Sequence, residues 1–143
     1  MFTSHWRNRD LAGVDAVMVA ISRGKPRWTL DFRYRVLSEL APSNEAWAMK
    51  DRESFEAAYG RQLEELGAEW ILERLAAIGD GRPCVLLCWE RLADPGEWCH
   101  RRLLADWLHT QTEIVVPELE PGMIRKRPDA PQPALFDYGE ERA

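Results

Sequence analysis

The chain has 143 residues, 45% of them apolar and 30% charged, with a formal net charge of −5. That length sets one domain with room for a normal core. No apolar run is long enough to span a bilayer, and no charged-then-apolar leader opens the sequence. A cytoplasmic protein that keeps off membranes is therefore expected. Three cysteines without framework spacing count against a secreted disulfide scaffold. The net charge conceals a gradient. Residues 1–35 carry seven Lys or Arg against three Asp, net +4, and residues 36–116 carry eight basic and fifteen acidic groups, net −7. A basic first third on an acidic body suits a local anion site better than a surface coated for nucleic acid, with plain solvated surface as the competing reading.

Residues 1–4 read as a short strand that ends at His5-Trp6-Arg7-Asn8. Residues 16–22 form an apolar, mostly unalternated run, the pattern of a strand buried on both faces. Gly24 and Pro26 make the following Ser22–Trp28 stretch a loop. Residues 29–43 are ambiguous, with room for one short helix before Pro42. Asp51 is a helix N-cap, Phe55, Tyr59, Leu63 and Leu66 recur at helical spacing behind it, and Gly67 is the stop. Ile71, Leu75 and Ile78 share one face of a second helix, closed by Gly79-Asp80-Gly81. A strand follows over residues 83–89. Asp94-Pro95-Gly96-Glu97 has capping-box character, so a helix, or a short turn leading into one, begins there and runs to about His109. Residues 113–116 read as a last short strand.

This order predicts an α/β fold: a small, open, mostly parallel sheet of about four strands with helices packed on it. The domain spans residues 1–116, and a proline-rich tail spans 117–143. Right-handed crossovers bring the strand ends at residues 5–8, 22–27 and 88–90 to one edge, the usual ligand site of such sheets.

The densest chemistry lies in Cys88-Trp89-Glu90 and, eight residues on, Cys99-His100-Arg101-Arg102-Leu103-Leu104-Ala105. Together with Thr3-Ser4, the run Ile21-Ser22-Arg23-Gly24-Lys25-Pro26-Arg27-Trp28 and the helix of residues 55–67, these residues resemble domain-of-unknown-function family 488 over roughly residues 1–116. The resemblance implies a compact α/β domain and carries no established activity. In the wider family a Gly-His-Ser follows the first strand; Ser4-His5-Trp6 stands there in this chain, so no role is assigned to His5.

Each candidate has a structural and a functional reading. Cys88 is a core thiol or a thiol at a pocket floor. Cys84 is a core residue. Cys99 either joins the apolar stripe of Leu103 and Trp107 or sits in a first helical turn, where the dipole and Arg101 would favour a thiolate. Glu90 is the best general acid/base candidate, against a salt bridge to Arg23 or Arg101. His100 is a half-buried structural residue or a proton shuttle. Arg23, Lys25, Arg27 and Arg101 could form an anion cradle for phosphate. Trp6, Trp28, Trp89 and Trp98 border the mouth and could stack on a base, whereas Trp70 and Trp107 read as core. No metal and no cofactor is expected: adjacent Cys99 and His100 on one helix would point about 100° apart, awkward for one shared ion. A Cys88–Cys99 disulfide does not suit a reducing compartment.

In the tail, Gln132, Leu135 and Phe136 match a bacterial sliding-clamp docking motif, an extended peptide with two apolar anchors. Three readings follow: an anion-binding domain tethered to DNA replication or repair and acting on nucleotides or nucleic acid, a non-catalytic interaction module with a structural Cys/Glu/His/Arg cluster, and a thiol-dependent enzyme on a small anionic metabolite.

Overall fold

The computed structural model describes residues 1–125 and the backbone of residues 140–142. Four strands, β1 (Phe2–His5), β2 (Val17–Ala20), β3 (Tyr34–Val36) and β4 (Cys84–Cys88), lie in the spatial order β1-β4-β2-β3. A fifth, β5 (Glu140–Arg142), pairs with the free edge of β3. Every neighbouring pair is parallel, as the element order predicts. All side chains of β2 and β4 are buried, which explains why neither segment alternates. β3 leaves no mark in the sequence, because three residues are too few to show a period. The short helix expected before Pro42 is a single 3₁₀ turn, Ser38–Leu40.

Among the described residues there are four α-helices, α1 (Asn44–Ala48), α2 (Arg52–Leu66), α3 (Ala68–Gly79) and α4 (His100–Thr112); the last three follow the predicted layout, and α1, after Pro42, is additional. The Asp51 side chain accepts from the Ser54 N–H at 2.8 Å and caps α2. Gly67, at φ 84°, lets α3 start at once after α2 ends. The Asp94-Pro95-Gly96-Glu97 segment is the short turn rather than the helix itself. Glu97 N–H bonds the Asp94 carbonyl at 3.2 Å, and Gly96 at φ 77° stops the turn from propagating.

The strand expected at residues 113–116 does not form. α4 extends through Thr112 and is closed by Glu113 in the left-handed region (φ 64°), after which Val116 turns into the core. The chain then runs beside β1. Thr3 N–H donates to the Pro117 carbonyl (3.0 Å) and Leu119 N–H to the Thr3 carbonyl (2.7 Å). Residues just past 116 thus cover an otherwise open edge.

The two faces of the sheet differ. Val17, Val19, Ile21, Cys84 and Leu86 pack under the helices, against Tyr59, Leu63, Ile71, Leu75, Leu104 and Leu108. Met18, Ala20, Val85 and Leu87 lie under coil, against Trp6, Leu11, Val14, Leu30 and Phe32. The segments leaving β1 and β2 pack on the coil face through Trp6, Leu30 and Phe32, and Trp89 just after β4 joins them there, whereas Trp98 further along packs on the helical face. Trp70, expected in the core, is 37% exposed on α3. Among the described residues no helix is long and apolar enough to cross a membrane.

Candidate functional site

Cys88 is the last residue of β4, next to His5 in the strand register. Cys99 is the N-cap of α4, and His100 and Arg101 are its first two residues. Cys88, Cys99 and His100 are 2%, 2% and 6% exposed. Cys88 Sγ lies 3.3 Å from His100 Nδ1 and 3.3 Å from a Glu90 carboxylate oxygen. Cys99 Sγ lies 3.8 Å from the same Nδ1. The expected divergence of Cys99 and His100 does not occur, because Cys99 is extended (φ −147°, ψ 144°) rather than helical. The three donor atoms all lie within 4.8 Å of one another, and all three cysteines of the chain are free.

His100 is held on both sides. Its Nε2 is 2.7 Å from the Ile21 carbonyl, which can only accept, so Nε2 carries the proton. Nδ1 then faces the two sulfurs, as an acceptor for a thiol when the ring is neutral and as a donor to a thiolate when the ring is charged. Tyr59 meets the ring edge-on at 5.3 Å and is itself fixed by donating to the Leu40 carbonyl at 2.7 Å. The half-buried histidine expected from the sequence is thus fully buried and aimed.

The two thiols behave as a pair. Burial opposes ionisation of Cys99, but hydrogen bonds with Cys88 and His100, followed by the nearby Arg101, outweigh it and bring its pKa down to about 3. Cys88 is pushed far up, by burial first and then by sharing its proton with Cys99. Of the two, Cys99 is the readier to ionise and Cys88 the more firmly protonated, and the N-terminus of α4 favours negative charge at Cys99. Glu90 is also pushed up, by burial first and then by the Cys99 charge. Its carboxylate contacts Cys88 rather than Arg23 or Arg101, so the expected salt bridge does not form.

Arg101 is wholly buried. Its Nε and one terminal nitrogen bond both Glu118 oxygens at 2.8–3.2 Å. Its other terminal nitrogen, like His5 Nδ1, is buried without a hydrogen-bond partner. Burial and then Arg101 lower the His5 pKa. Glu118 gave no sequence signal, because it lies in a proline-rich stretch distant from the motif.

Glu90, Cys99 and His100 line one side of a cavity of about 350 Å³. Trp47, Phe55 and Trp98 line it from α1, α2 and the turn before α4, and Lys50, Asp51 and Glu97 add charge. The sequence gives no sign of the α1–α2 wall, to which α1 contributes Trp47, 63% exposed.

The four cradle residues differ in their settings. Arg23 donates to the Pro42 carbonyl (2.9 Å) and Asn44 (3.1 Å) and lies over Trp47, tying its loop to α1. Lys25 and Arg27 are exposed on that loop, while Arg101 is buried beside Glu118. A more basic groove, about 680 Å³, lies beyond β1 and is lined by Arg7, Arg9, Arg91 and Trp28 among others. Arg7 sits 4.7 Å over the Trp28 ring. Trp6 is core, with Nε1 bonded to Ser22 at 3.0 Å, and offers no free face to a base. Gln132, Leu135 and Phe136 lie outside the described residues.

A parallel α/β sheet with a two-cysteine, one-histidine cluster at its carboxyl edge is the class of domain these observations define. The chain belongs to the family described as Domain of unknown function DUF488, whose model matches residues 19–108 and so includes Cys88, Glu90, Cys99, His100 and Arg101. No curated protein matches. No solved structure matches.

Proposed function

We propose that this domain is a thiol-dependent enzyme whose centre is Cys99, working on a small molecule held in the adjoining 350 Å³ cavity. The observation that supports this most is placement. Cys99, the N-cap residue of α4, lines a cavity, with a second thiol, an imidazole and a carboxyl group in the same cluster. A helix N-terminus stabilises a thiolate, and the nearby Arg101 adds to that pull. Cys99 is the nucleophile, and His100 Nδ1 and Glu90 are the groups that take and return protons. The charged lining holds Asp51, Glu90 and Glu97 against Lys50, which favours an uncharged or cationic electrophile over an anionic one.

Alkylation of the native protein by iodoacetamide between pH 5 and 8, mapped by mass spectrometry, tests the reading. Cys99 should react at pH 6 at least about tenfold faster than a peptide thiol, with Cys84 inert. Equal, slow reaction of all three thiols would refute it.

A second reading retains the anion site but moves it to the basic groove of Arg7, Arg9, Arg91 and Trp28, where a phosphate and a stacked ring would find partners. Tethering to a sliding clamp through Gln132, Leu135 and Phe136 rests on the sequence pattern.

A further inference from the structure

The thiol–imidazole cluster has the composition and dimensions of a metal centre. We infer that Cys88, Cys99 and His100 bind a single borderline-soft divalent cation, Zn²⁺ in the first instance, with its fourth position open toward Glu90 and the cavity. The inference rests on the reading that this cluster is the functional centre, and it names the ion that controls it.

Four observations carry it. The donors are two sulfurs and one imidazole nitrogen, the set that selects zinc over the hard cations. A tetrahedral zinc ion with bonds of about 2.0–2.3 Å spaces its ligand atoms by about 3.5–3.8 Å. Here the sulfur–nitrogen spacings are 3.3 and 3.8 Å, and no donor pair exceeds 4.8 Å. The imidazole is oriented for ligation: Nε2–H is bound to the Ile21 carbonyl at 2.7 Å, so Nδ1 faces the sulfurs with its lone pair. A backbone carbonyl on the distal nitrogen is the usual support of a metal-bound histidine. Finally, three protein ligands leave one position vacant, and Glu90, 3.3 Å from Cys88 and lining the cavity, stands where it would hold a metal-bound water or complete the sphere.

The balance is simple. Zn²⁺ enters, each sulfur binds as thiolate, and any thiol proton still present leaves to solvent, so affinity rises with pH. Bound metal occupies the Cys99 lone pair. The metal-loaded and free-thiol forms are then alternative states of one centre, and loading switches off attack by Cys99.

The test uses the full chain, reduced and freed of metal with a chelator. Titration with Co²⁺ should give a thiolate-to-cobalt charge-transfer band and the visible bands of a tetrahedral site, saturating at one equivalent and bleached by Zn²⁺. Cys88→Ser and Cys99→Ser should each weaken binding by about a hundredfold or more, while Cys84→Ser, whose thiol bonds the Leu75 carbonyl elsewhere in the core, should leave it unchanged. One equivalent of Zn²⁺ should slow alkylation of Cys99 in the unaltered chain by about tenfold or more, a readout that needs no variant to fold. Absence of both the band and the protection overturns the metal inference. If Cys99 of the metal-free chain still alkylates fast, the thiol-enzyme reading survives that failure. Tight one-to-one binding over an unreactive metal-free Cys99 supports the metal inference and removes the thiol nucleophile.

Discussion

Removing the carboxylate of Glu118 should cost this domain far more than its position after the last helix suggests. Arg101 has no exposed side-chain surface, whereas Glu118 is 31% exposed. The Glu118→Ala change deletes three hydrogen bonds to the guanidinium and one from Thr3 Oγ1. It leaves a buried cation whose third nitrogen already lacks a partner. Breaking a fully buried pair costs about 3–5 kcal/mol. Because water reaches one partner here, about 2–4 kcal/mol is expected, or a fall in Tm of roughly 5–12 °C for a chain of this size. Urea unfolding followed by circular dichroism measures it, with the loss appearing in the midpoint at constant m. Arg101→Met in the Glu118→Ala background should recover more than half of the loss, since no charge is then stranded. A loss below about 1 kcal/mol, or a double variant no better than the single, would refute the argument that Arg101 depends on Glu118.

Other outcomes test other elements. Glu90→Gln should leave folding within about 1 kcal/mol of the parent but lower the rate of Cys99 alkylation; a loss of several kcal/mol would make the cluster a structural network instead. His5 titrates below the usual histidine range because burial, and then Arg101, oppose its charge. The unfolded chain therefore binds the extra proton first, and stability falls as pH drops from about 6.5 through the lowered value. His5→Gln should flatten that segment of the unfolding midpoint against pH, and an unaltered slope would contradict it. Leu86→Ala, at a fully buried position in the middle of β4, should cost about 2–5 kcal/mol in the same assay. A pull-down with a bacterial sliding clamp should recover the full chain but neither a chain ending at Arg125 nor a Leu135→Ala, Phe136→Ala variant; equal recovery of all three would end the docking proposal.

The long elements were legible because their signals are local. Asp51 and Gly67 bound α2 through capping chemistry, and the unbroken apolar runs of β2 and β4 declare strands buried on both faces. The parallel order put the strand ends at residues 5–8, 22–27 and 88–90 on one edge, and Cys88 lies there beside His5. Three things were not legible. A three-residue strand has no period, so β3 was missed. The single backbone dihedral change at Cys99, from helical to extended, decides whether its sulfur meets His100, and helix starts are the least certain feature of a sequence. Partners supplied across long separations leave no pattern. The carbonyl of Ile21, the carboxylate of Glu118 and the α1–α2 wall of the cavity are of this kind.

The hydrogen bond from His100 to Ile21 spans 79 positions, that from Arg102 to Thr3 spans 99, and that from Thr3 to Glu118 spans 115. Contacts that join such distant parts of a chain form late, after the intervening loops have closed. Until Ile21 and His100 meet, nothing holds the imidazole toward the two sulfurs. In the unfolded chain Cys88 and Cys99 are ordinary solvent-facing thiols, open to whatever oxidant or metal the surroundings hold. The chemistry of this centre belongs to the folded chain alone, and a chain refolded under oxidising conditions should lose the fast alkylation of Cys99.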